Sequence, residues 1–134
     1  MVTISSVNLL AIDSVADDID DEQHTASYND SNVHVGATLT KTPGGAGRTW
    51  IAVGSITTDN AGTGNVYTIE VQYDGTALVS RSVTDVTGSH TWALNGIKEN
   101  PTVASHTIRV TIQRTSGSAG TQFRSQVSWR EISV

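Results

Sequence analysis

The chain contains no cysteine. No disulfide can staple the fold, and no thiolate is available as a nucleophile or a zinc ligand. Charge is scarce too: 16% of the 134 residues are Asp, Glu, Lys or Arg, against about 25% in ordinary globular domains. Lysine occurs only at Lys41 and Lys98, and the net charge is −5. The arginines (Arg48, Arg81, Arg109, Arg114, Arg124 and Arg130) are scattered. A phosphate backbone needs a clustered basic surface, so nucleic acid is not an expected partner. No apolar run approaches the ~20 residues of a membrane helix, and no membrane partner is expected. The N-terminus lacks the basic flank and long apolar core of a secretory signal, which predicts a chain that begins as a cytoplasmic product. Helical periodicity is missing as well: no segment sustains it for more than two turns. Internal repeats and long linkers are also lacking.

What fills the chain is Ser, Thr, Asn, Gly and Val in alternating patterns. From Val66 to Tyr73, Tyr67, Ile69, Val71 and Tyr73 share one face, while Thr68, Glu70 and Gln72 share the other. That period of two suits a half-buried strand. Asp74-Gly75 follows, the dipeptide of a type I′ turn, and a second strand is expected over 77–83. Further strands are predicted at 32–40, with Val33, Val35, Ala37 and Leu39 inward, and at 48–56, apolar on both faces. A short strand is expected at 90–94, then a loop over 95–101. A clean strand follows over 103–113, with His106, Ile108, Val110 and Ile112 on one side. The last strand, 121–134, shifts phase after Trp129, which suggests a bulge near Arg130. Short strands at this spacing, joined by polar Gly-rich turns, signal an all-β sandwich or barrel in a single domain, 1–134. Residues 1–31 read as an N-terminal arm plus an acidic loop over 13–22; a short helix capped by Ser14 is the alternative reading of the acidic run.

Candidate chemistry is thin. The run Asp17-Asp18-Ile19-Asp20-Asp21-Glu22 lacks the spaced carboxylates and turn glycine of a calcium loop, so a solvated acidic face is preferred. His24, His34, His90 and His106 show no metal-ligand spacing. His34 falls on the polar side of its strand, and His106 on the apolar side, as a hydrogen-bonded core histidine. No nucleophile elbow is present, and Ser116-Gly-Ser-Ala-Gly120 is a turn by composition. Glu70 and Glu131 lie on different strands and cannot be paired from sequence. Trp50, Trp92 and Trp129, with Tyr28, Tyr67 and Tyr73, could stack on sugars or fill a core. Trp92, on its short strand between loops, is the candidate ligand platform, although core packing is favoured. No catalytic, metal or cofactor residue is nominated.

Three pieces resemble the small jelly-roll domains of the TNF/C1q type found in phage and other virion structural proteins. They are the Tyr67–Gly75 hairpin, the strand Ala104-Ser-His-Thr-Ile-Arg-Val110, and the closing Val127-Ser-Trp-Arg-Glu-Ile-Ser-Val134. Their order matches too, over about half the chain; Ala104 stands where such domains carry Gly, and 1–39 has no counterpart. The resemblance implies a jelly-roll β-sandwich of about 8–10 antiparallel strands, a homotrimer without enzymatic activity. The expected role is a virion structural protein, a decoration (cement or head-fibre) protein of a tailed-phage capsid. Its partners would be its own copies and the major capsid protein at the virion surface. The alternative is a glycan- or host-receptor-binding module on the same fold.

Overall fold

Asp74 and Gly75 both adopt positive φ, 47° and 81°, the backbone of a type I′ turn. The turn joins β4 (Val66–Tyr73) to β5 (Thr76–Thr84). Outward from it the chain pairs strand by strand. β3 (Thr49–Asn60) lies against β6 (Gly88–Glu99), β2 (Val33–Lys41) against β7 (His106–Ser116), and β1 (Ser14–Tyr28) against β8 (Thr121–Ser133), all antiparallel. This nested hairpin rolls into two four-stranded sheets. Sheet A has the order β1-β8-β3-β6 and sheet B the order β2-β7-β4-β5. That is the strand order of a jelly roll, two sheets face to face. The computed structural model describes residues 14–28, 31–60, 64–85, 88–117 and 121–133, with backbone alone for 14–28, 60 and 121.

The inward rows build one core. Ala52, Ile56, Val127 and Leu94 from sheet A meet Ile69, Val71, Val110 and Ile112 from sheet B, all buried. Burial of these side chains is the main stabilising term, about 1.5–3 kcal/mol for each large one. Two glycines set how closely the sheets approach. A Cβ on Gly54 would lie 2.6 Å from methyls of both Val71 and Val110, and one on Gly96 2.9 Å from Leu78 Cβ.

Several sequence expectations change here. The acidic run is neither loop nor helix but most of edge strand β1, whose backbone sets Asp17 opposite Arg130 and Gln23 opposite Arg124. Aspartate is a poor strand former, yet pairing along the whole of β8 overrides local preference. Val33 and Val35 point outward, 51% and 44% exposed. The reason is a bulge: Val35 pairs with Thr111 and Thr38 with Arg109, so β2 carries one extra residue and its phase flips. The amide freed at Ala37 donates to Ser125 Oγ across the sandwich at 2.8 Å. The β3 strand is not covered on both faces, because Val53 is 37% exposed. The β6 strand runs to Glu99 rather than ending at Leu94, paired with β3 throughout. The expected slip in β8 is absent. Its register with β3 is unbroken, and Glu131 takes the inward place after Trp129. Met1–Ile12 lies outside the described residues.

Candidate functional site

The interior changes character at the end of the sandwich beside the β4–β5 turn. Trp50 opens β3 on its inward row and is 1% exposed. Three rings meet it edge to face: Trp129 at 5.5 Å between centroids, His106 at 5.9 Å and Tyr73 at 6.0 Å. Such T-shaped contacts set the ring edges against the electron-rich faces. The two lysines of the chain cap the same cluster. Lys41 Nζ sits 5.3 Å from the Trp129 ring and Lys98 Nζ 5.0 Å from the Tyr73 ring, within cation–π range.

Two carboxyl groups anchor the cluster. Glu131 is buried, and Trp50 Nε1–H donates to its Oε2 at 2.7 Å. The Gly44 amide donates to both its oxygens at 3.1 and 3.2 Å, and Arg48 Nε stands 3.9 Å away. A buried acid is tolerable only when so surrounded by donors. Those donors come from the β2–β3 loop and the start of β3, so Glu131 ties the end of β8 to that connection.

Asp74 holds the other side. Its amide donates to Thr107 O at 3.0 Å, and the Thr107 amide donates back to Asp74 Oδ1 at 2.8 Å. His106 Nδ1 lies 2.6 Å from Asp74 Oδ2, and Nε2 lies 2.8 Å from the carbonyl oxygen of Thr102. The Asp74 carboxylate and the Thr102 carbonyl only accept, an arrangement that favours the charged ring, with hydrogen on both nitrogens. Burial opposes this charge. The hydrogen bonds to Asp74 and Thr102, with Asp74's negative charge, outweigh burial and hold the imidazole above its ordinary 6.5. Asp74 is held below its ordinary 3.8, first by the Thr107 amide and then by His106. Burial, then the charge of Asp74, push the Tyr73 phenol up from 10.0.

The order Asp74–His106–Thr102 has the outline of a catalytic relay, with Thr102 Oγ1 3.1 Å from Nε2. A relay needs a ring nitrogen with a free lone pair to take a proton. Here the Thr102 carbonyl occupies that nitrogen. The chemistry available is proton binding, and its effect is to fasten the β4–β5 turn to the segment leading into β7.

The other sequence-nominated residues are not gathered here. His34 faces inward, contrary to expectation, edge to face with Phe123 at 6.5 Å; the β2 bulge accounts for it. His90 stacks on Trp92 at 6.0 Å. Trp92 belongs to the inward row of a 12-residue strand, half-buried against the core. Glu70 lies on the outer face of sheet B, bonded by Gln72 Nε2 at 2.7 Å, so a sheet separates it from Glu131. Among the described residues no three His, Cys, Asp or Glu side chains converge as a metal site. For the acidic run, His24 and Tyr28, the strand is placed and the side chains are not described. His106 was legible as a bonded core histidine. Glu131 and its link to Trp50 were missed, although an unbroken period of two from Phe123 would have found the inward glutamate.

No protein-family model matches the chain, and no curated protein sequence matches it. Solved structures do. The structure of infectious bursal disease virus Gx strain aligns at a TM-score of 0.56 with 14% identity, over 90% of this chain and 33% of that one. Dimeric latent PorU from Porphyromonas gingivalis aligns at 0.55 with 11% identity, over 92% and 13%. The disulfide-linked pili of Bacillus endospore appendages align at 0.49 with 18% identity, over 90% and 89%. The chain spans about a third of the viral protein and a smaller part of PorU. At 14% and 11% identity, what the first two share with this chain is the fold alone.

Proposed function

We propose that the chain is a structural subunit of a virion, more narrowly a non-enzymatic decoration protein on the capsid of a tailed phage. It acts as a homotrimer seated on the major capsid protein at the virion surface. The observation that carries this reading is how the ionisable groups at the β4–β5 end are engaged: buried Glu131 and His106, with Asp74 at the surface, tie turns to strands. What the molecule offers outward is broad strand surface. The jelly-roll order and the likeness to a viral structure support the same reading. Many weak contacts repeated over a shell then sum through multivalency.

Light scattering on the purified chain is expected to give a trimer-based mass. Cosedimentation with undecorated shells from the same genome is expected to saturate. A chain that stays in the supernatant, or that grows into filaments unaided, overturns the decoration role. One observation favours a second reading, a glycan- or receptor-binding module. Trp92 and His90 stack on β6, an edge strand of sheet A. A glycan array showing binding that Trp92→Ala abolishes would favour it; a blank array would remove it.

A further inference from the structure

One nitrogen of the His106 ring meets two groups of the same residue. Nε2 lies 2.8 Å from the carbonyl oxygen of Thr102 and 3.1 Å from its Oγ1. A carbonyl oxygen can only accept, whereas a hydroxyl accepts or donates. The carbonyl suits a nitrogen that carries hydrogen; only the hydroxyl can serve a bare one. The other side of the ring has no such choice. Nδ1 stands 2.6 Å from Asp74 Oδ2, and the Thr107 amide holds Asp74 Oδ1 at 2.8 Å. A bare Nδ1 would set its lone pair against an anion, so the last proton of the ring stays there.

The β6–β7 connection, 100–105, is fastened at its ends. The Asn100 amide donates to Arg48 O at 2.9 Å, Pro101 is buried, and His106 opens β7. Between them Thr102, Val103, Ala104 and Ser105 are exposed, Val103 at 60%. The Ala104 amide donates to the Thr102 carbonyl oxygen at 2.8 Å, so that oxygen keeps one donor when the ring withdraws its own. The Thr102 side chain is also hydrogen-bonded to the Tyr73 phenol. That phenol can donate to Oγ1 when Thr102 turns its hydrogen toward the ring.

We propose that Thr102 and His106 form a two-position clasp, through which a proton on the buried ring sets the placement of the exposed β6–β7 connection. In the charged ring, Nε2–H donates to the Thr102 carbonyl oxygen. In the neutral ring that oxygen would face a lone pair, so it moves off and the Thr102 hydroxyl donates to Nε2 instead. Thr102 rocks from one grip to the other and carries Val103 with it.

The ionisable groups around the ring are Asp74 on the β4–β5 turn, Tyr73 on β4, Lys98 on β6 and Lys41, opposite His106 on β2. Trp50 of β3 meets the ring edge to face and donates its N–H to Glu131 of β8, which Arg48 approaches at 3.9 Å. Burial and the Lys98 charge disfavour the proton; Asp74 and the Thr102 carbonyl favour it and prevail.

The test is an NMR titration of the full chain from about pH 5 to pH 9, following the ring nitrogens of His106 and the amides of 103–105. The neutral ring should carry its hydrogen on Nδ1, and the Val103 and Ala104 amides should shift with the midpoint of the ring. These two readouts need no variant. In Thr102→Val the neutral ring loses its donor, so the midpoint should move upward. Above it, and not below, the 103–105 amides should then exchange roughly tenfold faster than in the parent. Thr102→Ser keeps the hydroxyl and should restore the parental midpoint and exchange. A neutral ring with hydrogen on Nε2, amides that ignore the ring's titration, or a Thr102→Val chain with the parental midpoint overturns the clasp.

Discussion

Around Gly54, midway along the sandwich, the space between the sheets is filled by aliphatic side chains: Leu94 and Val127 lie beside it, and Val71 and Val110 face it. At the end beside the β4–β5 turn the same space holds two indoles, a phenol, an imidazole and the Glu131 carboxyl, with the exposed Asp74 carboxylate at its rim. The middle is held by contacts without direction, whose strength follows buried area. The end is held by contacts that exist at one geometry only. The middle favours collapse of any suitably apolar pair of sheets, whereas the end fixes which residue of β8 lies beside which loop.

The sharpest way to break the comparison is a charge in the middle. Val71 is fully buried, and Val71→Asp is expected to abolish cooperative folding, read as loss of a thermal transition by circular dichroism. A soluble Val71→Asp variant of parental mass would show that the middle is not the core. Next is the end itself. Glu131→Ala strips the Trp50 N–H of its acceptor and should cost about 3 kcal/mol in urea unfolding, by the rule for breaking buried charged partners. Gly54→Ala should cost roughly 2 kcal/mol, because its methyl must displace Val71 or Val110.

The smallest effect is in pH dependence, and it belongs to the end alone. His106 is raised above 6.5, so its stabilisation is complete below that pH and lost as pH rises through the folded value. Asp74 is lowered below 3.8, so its contribution is present above that pH and lost as pH falls through the folded value. Melting temperature should therefore be highest between about pH 4 and 6.5. Replacement by His106→Gln should flatten the alkaline side of that profile and weaken the acid side, where the Thr107 amide still holds Asp74 low. An unchanged alkaline slope would mean that the ring is not the titrating group.

Much of the fold was legible where partner and pattern agree. The β4–β5 hairpin announced itself through Asp74-Gly75, and β7 through an alternation that places His106 with Ile108 and Val110. What was not legible depends on residues far away in the chain. The period of β8 marks Glu131 as inward, but the donors from Trp50 and Gly44 that make a buried acid tolerable there are not in any local window of β8. Val33 and Val35 face outward because β7 imposes a bulge on β2. The acidic run became a strand because β8 offered it a partner from Thr121 to Ser133. Hydrophobic phase misled in β8, which keeps its period with a glutamate inward, and in β2, whose period the bulge breaks.

The nested order of pairing has a kinetic consequence. Closing β4 onto β5 spans a two-residue turn, whereas closing β1 onto β8 joins Ser14 to Ser133. Loop-closure entropy rises with each outer pair, so zippering is expected to start at the centre of the sequence and finish at its periphery. Hydrogen exchange should then show protection fading from β4 outward, with β1 the first strand to peel away.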